Sequence, residues 1–573
     1  MKYLKKFRFP IVHSSLFIIL ILTVGTFLRF WGLNWGLPYP FHPDERNMAD
    51  AITRFSSTNL DPHFYAYGQF PLYLAYFTGI VFLSLIKRGA INTLSFTQAI
   101  FALRFWSAVF STATIYITYL IAKKLLPKNL FTIYYLLFTI SFAPGLIQSA
   151  HFGTTESVLA FCFLAVVYFS LKILENPIFS NFFWEAFFLG IALGSKISGA
   201  IFAFPLALSF FILFKNTQEL KERLKILLFF SLTLTFTFTF TFLASPYLLL
   251  KFQESRGTLL YEISVAQGKP VLFYTRQFIN TTPVLFQLKK IFPYALGWPT
   301  FLLGLLGIVL CWIEILKSFF EKKTHYSWFI IHSSFLIYFF SQAFLFTKWT
   351  RFMAPIFPFF PIFASYSFSK IPHFLKSKRL FTIYYLLFTI SIVPGLLFSS
   401  IYFRPDVRFV TSEWIYQNIP SGSYVLSETA NVVDIPIFPP NQQSAINNYQ
   451  LSPISFNFYD LDENPKVFQK LLDELEKSDY IFIPSRRIFA NHLRIHEKYR
   501  LIAKYYQLLF SGKLGFKEIK TINPFPKFTI YNLQFSISDE VAEETFTVFD
   551  HPVIRIYKKI IYYNKSDYEN LFK

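Results

Sequence analysis

Long apolar segments separated by short polar ones fill the first two-thirds of the chain. Apolar runs of roughly 18 residues or more are long enough to cross a bilayer as helices, and they are too long for the strands of a membrane barrel. The pattern predicts a mainly α, polytopic helical membrane protein with about 11 spans. These spans are expected near 11–31, 99–122, 130–147, 157–173, 182–195, 197–214, 226–244, 297–316, 327–346, 352–369 and 380–402.

The apolar segment at 70–86 is interpreted as a membrane-dipping element on the outer side. If it crossed, the basic cluster at 123–128 would face outward, against the positive-inside rule. Without it, the basic clusters at 215–225, 317–323 and 370–379 all face the cytoplasm. This places the N-terminus inside and the C-terminus outside the cytoplasmic membrane, with outer loops at 32–98 and 245–296. The basic N-terminus is expected to lead into a retained anchor, because no small-residue cleavage site follows it.

From about residue 404 the apolar runs shorten and polar residues increase. The sequence therefore predicts a transmembrane domain at 1–403 and a soluble, extracytoplasmic α/β domain at 404–573. Tyr424–Glu428, Tyr480–Ile483 and Val553–Tyr557 are expected to be strands, and Trp414–Tyr416 part of a helix. A twelve-residue segment at 130–141 recurs letter for letter at 380–391, and no function follows from it.

Composition supports a membrane protein, since 54% of the residues are hydrophobic and only 15% are charged. The net charge of +21 lies largely in the short loops, so it reflects topology and nucleic acid is not an expected partner. Cys162 and Cys311 both lie in apolar runs and indicate neither a disulfide framework nor a cysteine metal site.

The motif Pro43-Asp44-Glu45 follows the outer end of the first span. Pro suits the first position of a helix, and the helix dipole keeps carboxylates in the first turn ionised. Apolar residues at 48, 52 and 55 give this helix one face that can lie on the membrane surface. In isolation, an ordinary helix start is the better explanation of such a motif. Its position at the water–lipid boundary makes Asp44 a candidate catalytic base.

Other charged residues are expected on the same outer face. Glu156 begins a span, where it could simply cap the helix, and Lys196 lies in an outer turn, where it could simply snorkel. Glu262 belongs to the outer loop at 245–296, where a solvated helix face is the ordinary explanation. Lys348 and Arg351 form a basic pair in another outer turn, against the usual charge bias, which favours an anionic ligand such as a lipid phosphate.

These motifs together resemble the GT-C membrane glycosyltransferases, in particular the family 39 type with protein O-mannosyltransferases and the lipid A aminoarabinose transferase. The resemblance covers residues 11–402. It rests on Pro43-Asp44-Glu45-Arg46, on Glu156 and Lys196, and on the basic pair Lys348 and Arg351 before the prolines at 355 and 358. One motif departs from the family: where relatives often have Lys-Pro, this chain has Phe70-Pro71.

The resemblance implies transfer of a sugar from a polyprenyl phosphate to an acceptor hydroxyl on a protein, lipid or glycan, outside the cytoplasmic membrane. Asp44 would take the acceptor proton, and Lys196, Lys348 and Arg351 would stabilise the lipid phosphate. The sugar would be a hexose or a pentose.

A divalent cation is a further candidate component. Glu45 and Glu156 could orient Asp44 or join it in holding such an ion. His42 and His151 are candidate supporting ligands, although an interfacial His is more often only hydrogen-bonded.

Two other classes of protein share many spans and outer charges. A transporter or lipid flippase would place its ionisable residues near the bilayer midplane, whereas here they cluster at one face. A cell-envelope receptor or scaffold would use the soluble tail, and it would lose its function when the tail is deleted.

Overall fold

The computed structural model describes residues 14–127, 129–320, 326–374, 380–429, 433–438, 451–526, 528–530, 533–535 and 538–573. The predicted basic N-terminus, the first residues of the first span and parts of the clusters at 317–323 and 370–379 lie outside the described residues. The chain forms two compact units. The membrane unit contains the chain up to Leu33, Asp44–Gln267 and Thr282–Ser399; the C-terminal unit contains Asn34–Pro43, Gly268–Thr281 and the chain from Ser400 onward.

The membrane unit is helical. The helix that starts at Pro43 is described with this unit, which contains all of its residues except Pro43. Its helices are α1 (Ser14–Phe30), α2 (Pro43–Thr53), α3 (Phe70–Lys87), α4 (Phe96–Leu125), α5 (Leu130–Ser141), α6 (Pro144–His151), α7 (Glu156–Glu175), α8 (Phe179–Leu193), α9 (Ala203–Asn216), α10 (Leu220–Ala244), α11 (Tyr247–Leu250), α12 (Phe252–Ala266), α13 (Leu285–Lys290), α14 (Phe292–Leu296), α15 (Trp298–Phe320), α16 (Tyr326–Ala343), α17 (Thr350–Met353), α18 (Phe359–Phe374) and α19 (Leu380–Ser399). Short 3-10 helices at Ile197–Phe202 and Ala354–Ile356 lead into α9 and α18.

These helices make the chain a multi-pass membrane protein. Among the described residues, seven helices are long and apolar enough to cross a membrane, or nine when the bent pairs α5–α6 and α17–α18 are each counted as one span. Each of the predicted spans contains a helix, and α1 and α8 are shorter apolar helices. Helix α3 is among the seven by length and composition.

The C-terminal unit is an α/β domain built on a five-stranded sheet. Strands β2, β1 and β3 are parallel, and β7 and β4 continue the sheet antiparallel, in the order β2-β1-β3-β7-β4. Strands β1 and β3 occupy the residues predicted from the sequence. The elements are α20 (Val407–Asn418), β1 (Tyr424–Glu428), β2 (Ser452–Phe456), α21 (Pro465–Lys477), β3 (Tyr480–Ile483), α22 (Phe489–Arg494), α23 (Arg500–Phe510), β4 (Phe516–Ile522), a β5–β6 hairpin (Phe528–Ile530 and Leu533–Phe535), α24 (Glu544–Thr547), β7 (Ile554–Lys559) and α25 (Lys565–Phe572).

Two segments from the predicted outer loops are integral parts of this unit. Arg276 is buried, its guanidinium donates to Tyr459 O at 3.0 Å and to Glu463 Oε1 at 2.9 Å, and it stacks on the ring of Tyr499 at 4.3 Å. In the other segment, Tyr39 Oη lies 3.3 Å from Phe438 O. Segments 34–43 and 268–281 therefore lie on the same side of the membrane as the C-terminal domain.

Helix α3 packs on α4. Trp106 Nε1 donates to Thr78 Oγ1 at 2.9 Å, and the Phe70 ring lies 6.3 Å from the Phe110 ring. Helix α3 therefore runs back along the first half of α4, and its placement on one side of the membrane stays a prediction.

The apolar face of α2 is packed inside the protein rather than laid on the membrane surface. Met48, Ile52 and Phe55 are fully buried. The Phe55 ring contacts the rings of Tyr73 and Tyr76 on α3, at 5.5 and 5.4 Å. Rings of α3 therefore cover Phe55, and the whole face that the sequence assigned to the membrane surface is buried within the protein.

The two identical twelve-residue segments end differently. In α19 the helix continues through Pro394, whereas α5 stops at Ser141 and the chain bends by 46° into α6. Arg29, which is fully buried, donates to Ile140 O and Ser141 O, each at 3.0 Å, and so satisfies the carbonyls that the break exposes. A partner elsewhere in the fold decides where the same sequence stops being helical.

A buried histidine organises the end of the C-terminal unit. His551 Nδ1 lies 2.5 Å from Asp550 Oδ1, and its Nε2 lies 2.8 Å from Asp539 Oδ2. Asp550 also accepts from the Tyr402 hydroxyl at 2.6 Å. Burial lowers the pKa of His551, but the two carboxylates outweigh it and raise the pKa to about 10. The imidazolium is thus the form that donates to both carboxylates.

The side of the membrane on which α3 ends can be tested at Arg88, which is exposed. A cysteine replacing Arg88, at the end of α3, should react with a membrane-impermeant maleimide added outside the cell, because the sequence predicts that α3 stays on the outer side. The buried native Cys162 and Cys311 give the background signal. Labelling only after the cytoplasmic membrane is opened would show that α3 crosses.

The stability contributed by His551 should depend on pH. Because its folded pKa of about 10 lies above the ordinary histidine pKa of 6.5, the contribution is complete below pH 6.5 and is lost as pH rises toward 10. In detergent, the unfolding temperature of the full wild-type chain should exceed that of His551→Gln at pH 6.5, and this difference should shrink as the pH rises to 10. A difference in unfolding temperature that stays constant from pH 6.5 to 10 would contradict this assignment.

Candidate active site

The start of α2 is fixed by a fully buried ion pair. Arg104 Nε and Nη2 donate to Glu45 Oε1 and Oε2, both at 2.7 Å, and neither side chain is exposed. Arg104 Nη1 also donates to Leu33 O at 2.9 Å. Two parallel hydrogen bonds between charged groups hold both distance and orientation. Glu45 therefore ties α2 to α4.

The loop before α7 completes the surroundings of Glu45. Gly153 N donates to Glu45 Oε1 at 2.8 Å, and a Cβ at this glycine would lie 2.7 Å from Leu103 Cβ and 2.9 Å from that same carboxylate oxygen. Only glycine fits this approach. Nearby, His151 is buried, with Nδ1 2.8 Å from Ile147 O and Nε2 2.7 Å from Trp31 O. Both ring nitrogens face backbone carbonyls, as in a structural histidine.

Asp44, one residue before Glu45, is partly exposed and forms an ion pair with Arg351. The same guanidinium nitrogen of Arg351 donates to the Tyr67 hydroxyl at 3.3 Å, and the guanidinium lies 4.7 Å from the centre of the Trp349 ring. The structure thus brings together Asp44 and Arg351, which are 307 positions apart in the sequence.

Lys196 approaches the same tyrosine from another direction. Its Nζ lies 5.0 Å from the centre of the Tyr67 ring, 5.5 Å from that of Phe352, and 3.6 Å from Glu156 Oε1. Burial raises the pKa of Glu262, and the charge of Lys196 opposes that rise. Burial, followed by the charges of Glu156 and Glu262, raises the pKa of Tyr67, so its hydroxyl stays protonated. Two cations and three carboxylates surround one tyrosine.

Backbone hydrogen bonds place Tyr67 and Lys196 side by side. Gly68 N donates to Ser195 O at 2.9 Å, and Phe70 N donates to Gly194 O at 3.1 Å. A Cβ at Gly68 would lie 2.0 Å from Gly194 O, so the two loops approach as closely as only glycine allows. Gln69 Oε1 accepts from the Ser245 hydroxyl at 2.6 Å and anchors the pair to the end of α10.

Two predicted residues stand apart from this cluster. Lys348 is buried and its Nζ donates to Phe346 O at 2.9 Å; among the residues that the structure describes, its contacts do not include Asp44, Glu156 or Tyr67. Burial lowers the pKa of Lys348 to about 8. His42 belongs to the C-terminal unit, where its ring lies 4.4 Å from that of Phe549.

Each carboxylate named as a candidate metal ligand is paired with a cation. Asp44 pairs with Arg351, Glu45 with Arg104 and Glu156 with Lys196. Across the described ranges, no group of three or more His, Cys, Asp and Glu side chains could hold a metal ion. The donor set present does not fit a protein-held divalent cation, and no step is assigned to one.

Sequence reasoning missed Arg104 and Tyr67. Arg104 carried a usable signal, because a charge eight residues inside an apolar helix is costly unless it is paired. Tyr67 carried none in a chain with 34 tyrosines. What the cluster offers is a partly exposed carboxylate beside cations held against aromatic rings. This arrangement can bind an anionic group and accept a proton next to it.

Comparison with known proteins agrees with the predicted resemblance. Residues 90–243 match the sequence model of the family described as dolichyl-phosphate-mannose-protein mannosyltransferase, and this region includes Arg104, Gly153, Glu156 and Lys196. No curated protein matches the chain. The crystal structure of the Archaeoglobus fulgidus oligosaccharyltransferase in the apo form shares the fold, with a TM-score of 0.50 and 14% identity over 87% of this chain and 73% of that one.

Two other solved structures are similar at lower scores. ArnT from Cupriavidus metallidurans bound to undecaprenyl phosphate is 11% identical over 94% of this chain and 97% of that one, with a TM-score of 0.42. The Saccharomyces cerevisiae protein O-mannosyltransferase complex Pmt1-Pmt2 bound to the sugar donor is 15% identical over 43% of this chain and 35% of that one, with a TM-score of 0.33. Part of this chain, residues 90–243, therefore matches a membrane mannosyltransferase family, and the chain shares its fold with the oligosaccharyltransferase.

Proposed function

We propose that the protein transfers a sugar from a polyprenyl-phosphate-linked donor to an acceptor hydroxyl on the outer side of the cytoplasmic membrane. The observation that carries the proposal is the contact between Asp44 and Arg351, which places a candidate base directly beside a candidate phosphate ligand. The family match supports the donor class, because its description names a sugar on a polyprenyl phosphate.

Arg351 and Lys196 are proposed to bind the donor phosphate. Both are partly exposed, at 25% and 15% of their side chains, so a ligand can reach them. A guanidinium held against Trp349 and an ammonium held against Tyr67 and Phe352 keep their positions when a phosphate arrives. They would stabilise the negative charge that grows on the phosphate as the sugar leaves. Lys348 stays a weaker candidate, because its contacts lie outside the cluster.

The donor phosphate would also change the state of Asp44. While Arg351 neutralises the carboxylate, Asp44 is a poor base. A phosphate that takes over the guanidinium would release Asp44 to accept the proton of the attacking hydroxyl. The new bond joins the acceptor oxygen to the anomeric carbon, the bond from that carbon to the phosphate oxygen breaks, and the lipid phosphate leaves with its electron pair. Glu45 would position Asp44 through Arg104 and Gly153.

The orientation follows the same proposal. The outer loops and the C-terminal domain would face away from the cytoplasm, with the N-terminus inside, in the cytoplasmic membrane. The acceptor would be a protein, lipid or glycan of the envelope, and the sugar a hexose or pentose.

Asp44→Asn should nearly abolish transfer, by on the order of 10²–10⁴-fold, because the amide keeps the size of the carboxylate but cannot take a proton. The measurement is accumulation of a polyprenyl-phosphate sugar in a strain that carries only the variant, by mass spectrometry of extracted lipids. Wild type should clear that lipid, and Asp44→Asn should not.

Asp50→Asn is the matched control on the same helix, since Asp50 is an exposed carboxylate paired only with Arg46 among its ion pairs in the described chain. It should clear the lipid normally. Glu45→Gln should instead lower thermal stability, because it removes one partner of a buried pair. Normal clearance by Asp44→Asn, with the protein inserted and folded, would refute the catalytic assignment.

A further inference from the structure

We propose that the C-terminal unit positions the catalytic carboxylate by holding the two residues that precede its helix. Phe41 and His42 are the positioning residues, and Arg408 and Phe549 hold them. The inference rests on the proposed role of Asp44. It gives the C-terminal domain a part in catalysis that neither the family match nor the sequence motifs assign.

Phe41 is buried within the C-terminal unit, of which it is part. It is 2% exposed, and the Arg408 guanidinium lies 4.1 Å from the centre of its ring. The ring of Phe409 lies 6.2 Å away. On the opposite side, a Cβ at Gly36 would lie 2.5 Å from Phe41 Cδ2, so the chain turns directly beneath the ring. At Gly36 the φ of +69° also favours glycine.

His42 is held in the same way by the tail of the chain. It is 4% exposed, and its ring lies 4.4 Å from the Phe549 ring. Phe549 directly precedes Asp550 and His551. Asp550 accepts a hydrogen bond from Tyr402, and the His551 ring lies within hydrogen-bonding distance of Asp550 and Asp539. The surface that holds His42 is therefore one of the most constrained parts of the unit.

Arg408 is itself fixed, so it can restrain Phe41. It is 4% exposed, its Nη1 donates to Asp406 Oδ2 at 3.1 Å, and its Nη2 donates to Val548 O at 2.8 Å. Arg408 thereby connects the contacts on Phe41 with those on His42, since Val548 neighbours Phe549 in the chain. Burial raises the pKa of Asp406, while Arg408 opposes that rise, as expected for a buried pair.

Chain continuity carries this restraint to the site. Helix α2 starts at Pro43, and Asp44 is its second residue. The first four N–H groups of a helix have no partner inside the helix, so the first turn depends on what precedes it. Asp44 lies between Phe41–His42, held in the C-terminal unit, and Glu45, held by Arg104 in the membrane unit. Releasing the upstream hold would let the first turn fray and Asp44 move, and a displacement of about 1 Å can cost on the order of 10²-fold in rate.

The test compares two Phe→Leu variants of the full chain. Phe549→Leu removes the ring beside His42. Phe489→Leu is the matched control, because this phenylalanine also packs an aromatic face in the C-terminal unit, under Arg555 at 5.2 Å and against Tyr506 at 5.9 Å, without contacting segment 34–43 in the described structure. Hydrogen exchange of the Asn47 and Met48 amides, which donate to the carbonyls of Pro43 and Asp44 in an α-helix, reports the first turn.

These amides should exchange at least about ten-fold faster in Phe549→Leu than in Phe489→Leu. The donor for the kinetic assay is the polyprenyl-phosphate sugar that accumulates in cells without the protein. Phe549→Leu should lower its turnover by on the order of ten-fold, with KM for that donor little changed. Equal exchange in the two variants, or faster exchange with unchanged turnover, would overturn the positioning role. Phe549→Tyr should restore the wild-type values, because it keeps the ring.

The two proposals fail separately. Faster exchange in Phe549→Leu together with normal transfer by Asp44→Asn would refute the catalytic role of Asp44, and with it a positioning role in that reaction. Equal exchange together with inactive Asp44→Asn would leave the proposed function standing and refute only the hold by the C-terminal unit.

Discussion

The buried pair between Glu45 and Arg104 is the constraint on which the candidate site depends. It joins the start of α2 to α4 inside the protein, with Gly153 N as a third bond to the same carboxylate. Removing one partner of such a pair typically costs about 3–5 kcal/mol, because the other charge stays buried without compensation. With Glu45 fixed, the neighbouring carboxylate of Asp44 is left partly exposed beside Arg351. One residue of the acidic motif is structural, and the other is available for chemistry.

The pair also explains how the proposed catalytic carboxylate of Asp44 can be both well positioned and reactive. Asp44 directly precedes the buried Glu45, and its own carboxylate forms an ion pair with a partly exposed Arg351. Such a contact can exchange for a phosphate without disturbing the fold, whereas the Glu45 pair cannot. The aromatic rings of Tyr67, Phe352 and Trp349 keep the two cations in position during that exchange. Binding of the anion and release of the base would then be one event.

Hydrophobic patterning predicted the helices well, because a lipid environment leaves the backbone few alternatives. A helix lies within each predicted span, and the acidic motif begins α2 at Pro43 as expected. The pattern could not distinguish lipid from protein as the cover of an apolar face, so it assigns Met48, Ile52 and Phe55 to the membrane surface although all three are buried within the protein. It also could not foresee that two copies of one twelve-residue segment end differently, because Arg29 decides this from another helix.

The site was predicted in part for the same reason. Charges at the outer ends of spans identified Asp44, Glu156, Lys196 and Arg351, and the structure brings them together around Tyr67. Lys348 has the same sequence signal, yet its ammonium bonds to its own turn through Phe346 O. Segments 34–43 and 268–281 were expected to be loops, and they are parts of the C-terminal unit because Phe41 and Arg276 are buried there. Such long-range partners leave no local pattern.

The central claim is that a lipid phosphate replaces the Asp44 carboxylate as the ion-pair partner of Arg351. A cryo-EM structure of the protein with undecaprenyl phosphate tests it directly. The phosphate should lie within hydrogen-bonding distance of Arg351 and Lys196, and the Asp44 carboxylate should have separated from the guanidinium. A phosphate bound away from these two cations, or an intact contact between Asp44 and Arg351 with the phosphate in place, would contradict the account.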